Sequence, residues 1–186
     1  MQKLASEFEK IIIISKNERT VLGSLKDVII NPDNGDMVGI VCHVPGLKKE
    51  MVANSSDITG VGTNFIMIGS VDNVAEKDEI IRLKEVLDKE IELIGSKVVD
   101  EDGRNLGKLR DYSVNLKTLR LERLYVTSVS FVKLIAKDLL IPSKDIIKIE
   151  KGKITVSGGS VRTAQKIAEI VKAKGARAGV ARCEKR

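Results

Sequence analysis

Leu22-Gly23-Ser24-Leu25-Lys26-Asp27-Val28-Ile29-Ile30-Asn31 returns 84 residues later as Leu106-Gly107-Lys108-Leu109-Arg110-Asp111-Tyr112-Ser113-Val114-Asn115. Five of the ten positions are identical, and Lys26/Arg110 and Ile30/Val114 are close substitutions. The match resumes at a shift of 88, with Ser55-Ser56-Asp57-Ile58 over Ser143-Lys144-Asp145-Ile146 and Phe65–Ile68 over Lys153–Val156. The changed shift places four extra residues in the second copy, within an expected loop at Thr127–Lys137. An internal repeat sets the architecture before any other signal is weighed. Here it predicts two copies of one small β unit.

Each copy begins with a β-branched run, Lys10–Ser15 in the first and Lys97–Val99 in the second. The second strand is longer, Val21–Asn31 against Leu106–Asn115, and the first of these ends on Pro32-Asp33-Asn34-Gly35. Proline presets φ and glycine tolerates positive φ, as a tight reversal requires. Met37–Val44, Glu50–Asn54 and Phe65–Gly69 complete the first copy, with Asp57–Gly62 as a turn. Leu119–Val126, Asp138–Ile141 and Lys153–Val156 complete the second. Many short strands with regular turns predict a small barrel or sandwich in each copy. Between them, Ile80, Leu83, Leu87, Ile91 and Ile94 fall on one stripe of a helix predicted over Glu76–Glu92. A second amphipathic helix is predicted over Ser160–Lys174.

These elements resemble the PRC-barrel family, named for a cytoplasmic domain of the photosynthetic reaction-centre H subunit. The C-terminal domain of the ribosome maturation factor RimM also belongs to it. The matching residues are Leu22–Asp27 and Leu106–Asp111, the hairpin after each, and the late Asp57-Ile58 and Asp145-Ile146; Ile141-Pro142-Ser143 fits too, where the first copy has Ala53-Asn54-Ser55. The resemblance implies a mainly β chain of two tandem PRC-type barrels joined by an amphipathic helix, with a C-terminal helix and basic tail. The expected boundaries are 8–74, a connector at 75–93, 94–157, and the tail at 158–186. The family is defined by fold and docking and implies no catalytic motif.

The chain carries a formal net charge of +6, all of it in residues 157–186, where eight basic side chains meet two acidic ones. Arg162, Lys166, Lys172, Lys174, Arg177 and Arg182 are therefore the candidate polyanion-binding residues. No aromatic accompanies them for base stacking. Asp27 and Asp111 are paired carboxylates, yet their equal placement after a repeated glycine favours a backbone-capping role over acid–base work. Asp57 and Asp145 read the same way, with side chains accepting from nearby amides. Cys42-His43 joins two soft ligands, but an alternating strand points them to opposite faces, and the second copy has Val126-Thr127 there. Gly60-Val61-Gly62 and Gly158-Gly159-Ser160 lack the residues of a P-loop or dinucleotide fingerprint.

The reading is a non-enzymatic docking or adaptor protein that binds a protein partner, with no metal, cofactor or catalytic residue. RNA or ribosome association through the tail is the alternative, and a peripheral membrane or cell-division scaffold the third. No apolar run reaches the roughly 20 residues of a membrane span, and Met1–Lys10 is too charged for a signal peptide. A soluble, cytoplasmic protein is expected.

Overall fold

The computed structural model describes residues 1–77, 79–130 and 135–158. The strands, in chain order, are β1 (Gln2–Leu4), β2 (Ile12–Ser15), β3 (Thr20–Ile30), β4 (Met37–His43), β5 (Met51–Asn54), β6 (Ile58–Val61), β7 (Phe65–Ile68) and β8 (Val74–Glu76). After helix α1 (Ile81–Leu87) come β9 (Lys97–Asp100), β10 (Asn105–Asn115), β11 (Arg120–Ser130), β12 (Ile135–Pro142), β13 (Ile146–Glu150) and β14 (Lys153–Val156). The chain is mainly β, in two seven-stranded sheets.

The first sheet runs β6-β7-β2-β3-β4-β5-β8, and the second β13-β14-β9-β10-β11-β12 with β1 added beside β10. Six strands thus follow the same order in both. Each sheet has one parallel pair, β2 with β7 and β9 with β14, among antiparallel neighbours. Gly23 lies opposite Ile13 and Gly107 opposite Val98, so the repeated glycines hold corresponding places. A bulge in each long strand falls just before Asp27 or Asp111.

The alternation of these strands buries one face of each sheet. Ile13, Leu25, Ile40, Ile66 and Ile68 from the first meet Val98, Leu109, Leu124, Ile141 and Ile154 from the second in one continuous core. The sheets also touch through their hairpins. Asp36 bridges Arg120, with Met37 N–H donating to Leu119 O at 2.8 Å and Leu121 N–H to Gly35 O at 2.9 Å. All three pairings join a residue to the position 84 or so along, so the contact is nearly self-complementary, as in a two-fold dimer.

Several expectations are corrected here. Asp57–Gly62 is not only a turn: Ser55–Asp57 forms a 3-10 turn and Ile58–Val61 is a strand. The expected loop at Thr127–Lys137 is largely hairpin, because β11 continues to Ser130 and β12 starts at Ile135. The helix expected over Glu76–Glu92 is only seven residues long. Glu76 belongs to β8, and Glu90 at φ 45° turns the chain out of helical geometry. Leu83 is fully buried against Ile29 and Val52, whereas Ile94 is 50% exposed and off the packed stripe. Met1–Lys10 forms β1 and a 3-10 helix, Ala5–Lys10. The helix expected over Ser160–Lys174 lies outside the described residues.

Candidate functional site

Asp27 stands at the mouth of a groove of about 960 Å³ between β3, the connector after α1, and the second sheet. Lys26–Ile30 form one wall and Glu90–Ser96 the other, with Tyr112, Lys151 and Gly152 closing the end. The bulge frees the amide of Val28, and Asp27 Oδ1 accepts it at 2.8 Å. The same oxygen accepts the buried Tyr112 hydroxyl at 2.6 Å. Burial pushes the Tyr112 phenol well above its ordinary range, and the Asp27 charge adds to the shift. Tyr112 therefore holds its proton and serves as a donor.

Asp111 repeats the first of these bonds, accepting Tyr112 N–H at 2.8 Å. Its second partner is different: Ser6 donates its hydroxyl at 2.7 Å and its amide at 3.3 Å. Both aspartates thus cap bulged backbone and link the two halves of the chain. Asp57 and Asp145 act through their carbonyls instead, which accept Gly69 N–H at 3.1 Å and Ser157 N–H at 2.9 Å. This corrects the side-chain role expected of them.

Two ion pairs stand at the groove rim. Lys26 pairs with Glu50 and Lys151 with Glu90. The hydrogen bond that Lys26 donates to Glu50 raises the Lys26 ammonium, and the one Lys151 donates to Glu90 lowers the Glu90 carboxyl. A lined groove of this kind is suited to binding.

The outward faces of the two sheets differ sharply. On the first, Ile12 lies beside Phe65 and Ile14 beside Met67, with Val21 next to Ile14. Ile12 and Val21 are 41% and 59% exposed. At the corresponding places on the second sheet, Lys97 lies beside Lys153 and opposite Lys108. Lys153 reaches Glu150 at 3.3 Å, but among the described residues no carboxylate pairs with Lys97 or Lys108. Like charges set directly across strands destabilise a sheet. Neither face was singled out from sequence, because each becomes visible only once the strand register pairs residues more than 50 positions apart.

Cys42 is buried and His43 exposed, on opposite faces as expected, and burial pushes the Cys42 thiol up to about 12. Among the described residues no group of three or more His, Cys, Asp or Glu is placed to hold a metal. No helix among them is long and apolar enough to cross a membrane. Arg162, Lys166, Lys172, Lys174, Arg177 and Arg182 lie outside the described residues. Residues 91–162 match the model of the PRC-barrel domain, a stretch that contains all of β9–β14. No curated protein matches the chain.

Proposed function

We propose that the chain is a non-enzymatic docking protein made of two PRC-type units in tandem, the second covered by the family match and the first sharing its strand order. The observation that carries this reading is the apolar outward patch of Ile12, Ile14, Val21, Phe65 and Met67. The repeat supplies a control at two of these positions: Lys97 and Lys153 stand on the second sheet where the first has Ile12 and Phe65, without loss of fold. An apolar pair at Ile12 and Phe65 is therefore not required by the architecture, and a protein partner that buries the patch accounts for its presence. Replacing Ile12 and Phe65 by lysine copies the second sheet. I12K/F65K should keep its melting temperature within a few degrees and lose the captured partner; undiminished capture defeats the reading.

A second reading, attachment to RNA or the ribosome, is favoured by the adjacent Lys97, Lys108 and Lys153 together with the basic residues after 157. Phosphate contacts of this kind weaken steeply as salt rises. The variant K97Q/K108Q/K153Q should bind RNA with a shallower salt dependence than the intact protein. An unchanged slope assigns any such binding to the tail alone.

A further inference from the structure

β1 fills a slot whose counterpart on the other side of the molecule is open. Gln2, Lys3 and Leu4 lie beside Asn115, Val114 and Ser113 of β10. Leu116 N–H donates to Met1 O at 3.0 Å beyond them, and Ser6 is held by Asp111. Phe8 then inserts fully into the core and meets the Tyr112 ring edge-on, with centroids 6.0 Å apart. An N-terminal segment from one half of the chain thus completes the sheet of the other.

The residues of β3 and its end that correspond to Ser113–Asn115 are Ile29–Asn31. β2 pairs with β3 only as far as Ser24, and the Leu25 amide bonds Ile11 O at 2.8 Å just past it. Beyond that point no described strand flanks β3 on the side away from β4. The segment that matches β1 and Phe8 in sequence order is Leu87–Leu93, since Ser96 N–H donates to Leu93 O as Ile11 N–H donates to Phe8 O. It does not form a strand. Its amides are spent locally, Asp88 N–H on Lys84 O at 2.8 Å and Glu90 N–H on Leu87 O at 3.0 Å. The plug is smaller as well. Leu93 replaces Phe8, and Val28 stands where the other side has Tyr112. The missing strand and the two smaller side chains account for the groove, and consecutive residues Lys26–Ile30 line it as a strand edge would.

We propose that this groove receives an extended segment of a partner protein as an added strand beside Ile29–Asn31, in the manner of β1 beside Ser113–Asn115. This deepens the docking reading and rests on it. Strand addition draws affinity from main-chain hydrogen bonds and specificity from alternate side chains. An unpaired edge is the usual template for it. The main-chain groups on offer here lie before Asn31, whose N–H and O are bonded to Asp36 O and Gly35 N–H, since Pro32, the counterpart of Leu116, has no N–H. The chemistry of the occupant follows from the filled slot. Leu4 at the end of β1 supplies an apolar residue, and the 3-10 turn that follows it supplies the Ser6 hydroxyl for the aspartate and the Phe8 aromatic plug, so the occupant is a short strand running into a turn. Asp27 is exposed at the groove mouth and corresponds to Asp111, so the bound segment offers it a hydroxyl or amide donor. Apolar side chains of that segment pack on Val28 and Leu93, and the paired charges of Lys26, Glu50, Glu90 and Lys151 form the rim.

The test uses the full chain and a labelled synthetic peptide of the sequence Met1–Lys10. Saturable binding followed by fluorescence anisotropy is expected, with amide shifts in the NMR spectrum at Ile29–Asn31. The variant V28Y/L93F, which rebuilds the aromatic plug in the groove, should weaken binding at least tenfold while the β10 slot stays intact. N-methylation of alternate peptide amides should do the same. No binding, equal binding by V28Y/L93F, or shifts confined to Ser113–Asn115 each overturn the inference. The amide shifts need no variant, so a misfolded V28Y/L93F does not rescue the proposal. If the free protein dimerises and the peptide dissociates the dimer, the occupant is a second copy's N-terminal segment and the partner-protein assignment falls. If the peptide fails while I12K/F65K still loses its captured partner, the docking reading stands and the groove does not carry it.

Discussion

Tyr112 shows how one side chain can tie two repeats together. Its ring is in the shared core and its hydroxyl donates to Asp27 of the other half at 2.6 Å. Removing that hydroxyl leaves an acceptor short of a charge-assisted bond, so Tyr112→Phe should cost about 2 kcal/mol in chemical denaturation. The pH dependence has a defined sign. Burial, then the Asp27 charge, raise the folded-state pKa above the unfolded value, so the stabilisation is complete below the unfolded pKa. It is lost as pH climbs past about 10, where the unfolded phenol ionises first. The alkaline fall in stability should be smaller in the Phe variant; an identical fall in both proteins rules out this account. Backbone strain at a residue is equally testable. Arg19 sits at φ 53° where the second copy places Gly103 at φ 79°. Arg19→Gly should therefore stabilise by roughly 1 kcal/mol, and Gly103→Arg should destabilise by a similar amount. An Arg19→Gly midpoint below that of the parent would show that its side chain matters more than its φ.

At the scale of elements, α1 is seated by one side chain and one gap. Leu83 is fully buried on Ile29 and Val52, and a Cβ at Gly39 would come within 2.8 Å of it. Leu83→Ala should cost about 3 kcal/mol, and Gly39→Val should detach α1, seen as lost amide protection over Ile81–Leu87 with the sheet still protected. Retained protection in the valine variant would mean that α1 is anchored elsewhere. Periodicity made the long strands legible, because Leu22–Asn31 and Leu106–Asn115 alternate and repeat with their turns. It failed at β6 and β13, where Ile58–Val61 and Ile146–Glu150 are short and begin directly after a 3-10 turn. It overextended α1 because Ile91 is apolar for another reason: it packs on the core after the helix has ended. The groove was hidden for the same cause. It depends on Val28 and Leu93 being smaller than Tyr112 and Phe8, a comparison that needs the strands in register.

For the whole molecule, the repeat is less a pair of separate bodies than an exchange. The core is continuous, the hairpins meet at Asp36 and Arg120, and the first ten residues serve the second sheet as well as the first. Small units of this size bury too little apolar surface to be very stable alone, so shared packing is the physical reason for the exchange. Deletion of Met1–Lys10 should therefore damage a part of the molecule far from it in sequence. Loss of the Phe8 plug alone is expected to cost about 3 to 5 kcal/mol. Hydrogen exchange should reveal lost protection at Ser113–Asn115 and along β11, with β4 and β5 protected for longer. Adding the Met1–Lys10 peptide in trans should restore protection at Ser113–Asn115, since the slot is defined by Asp111, Tyr112 and the β10 edge, which the deletion leaves in place. Uniform loss across both sheets, with no recovery on peptide addition, would mean that the segment is needed to form the common core rather than to complete one sheet.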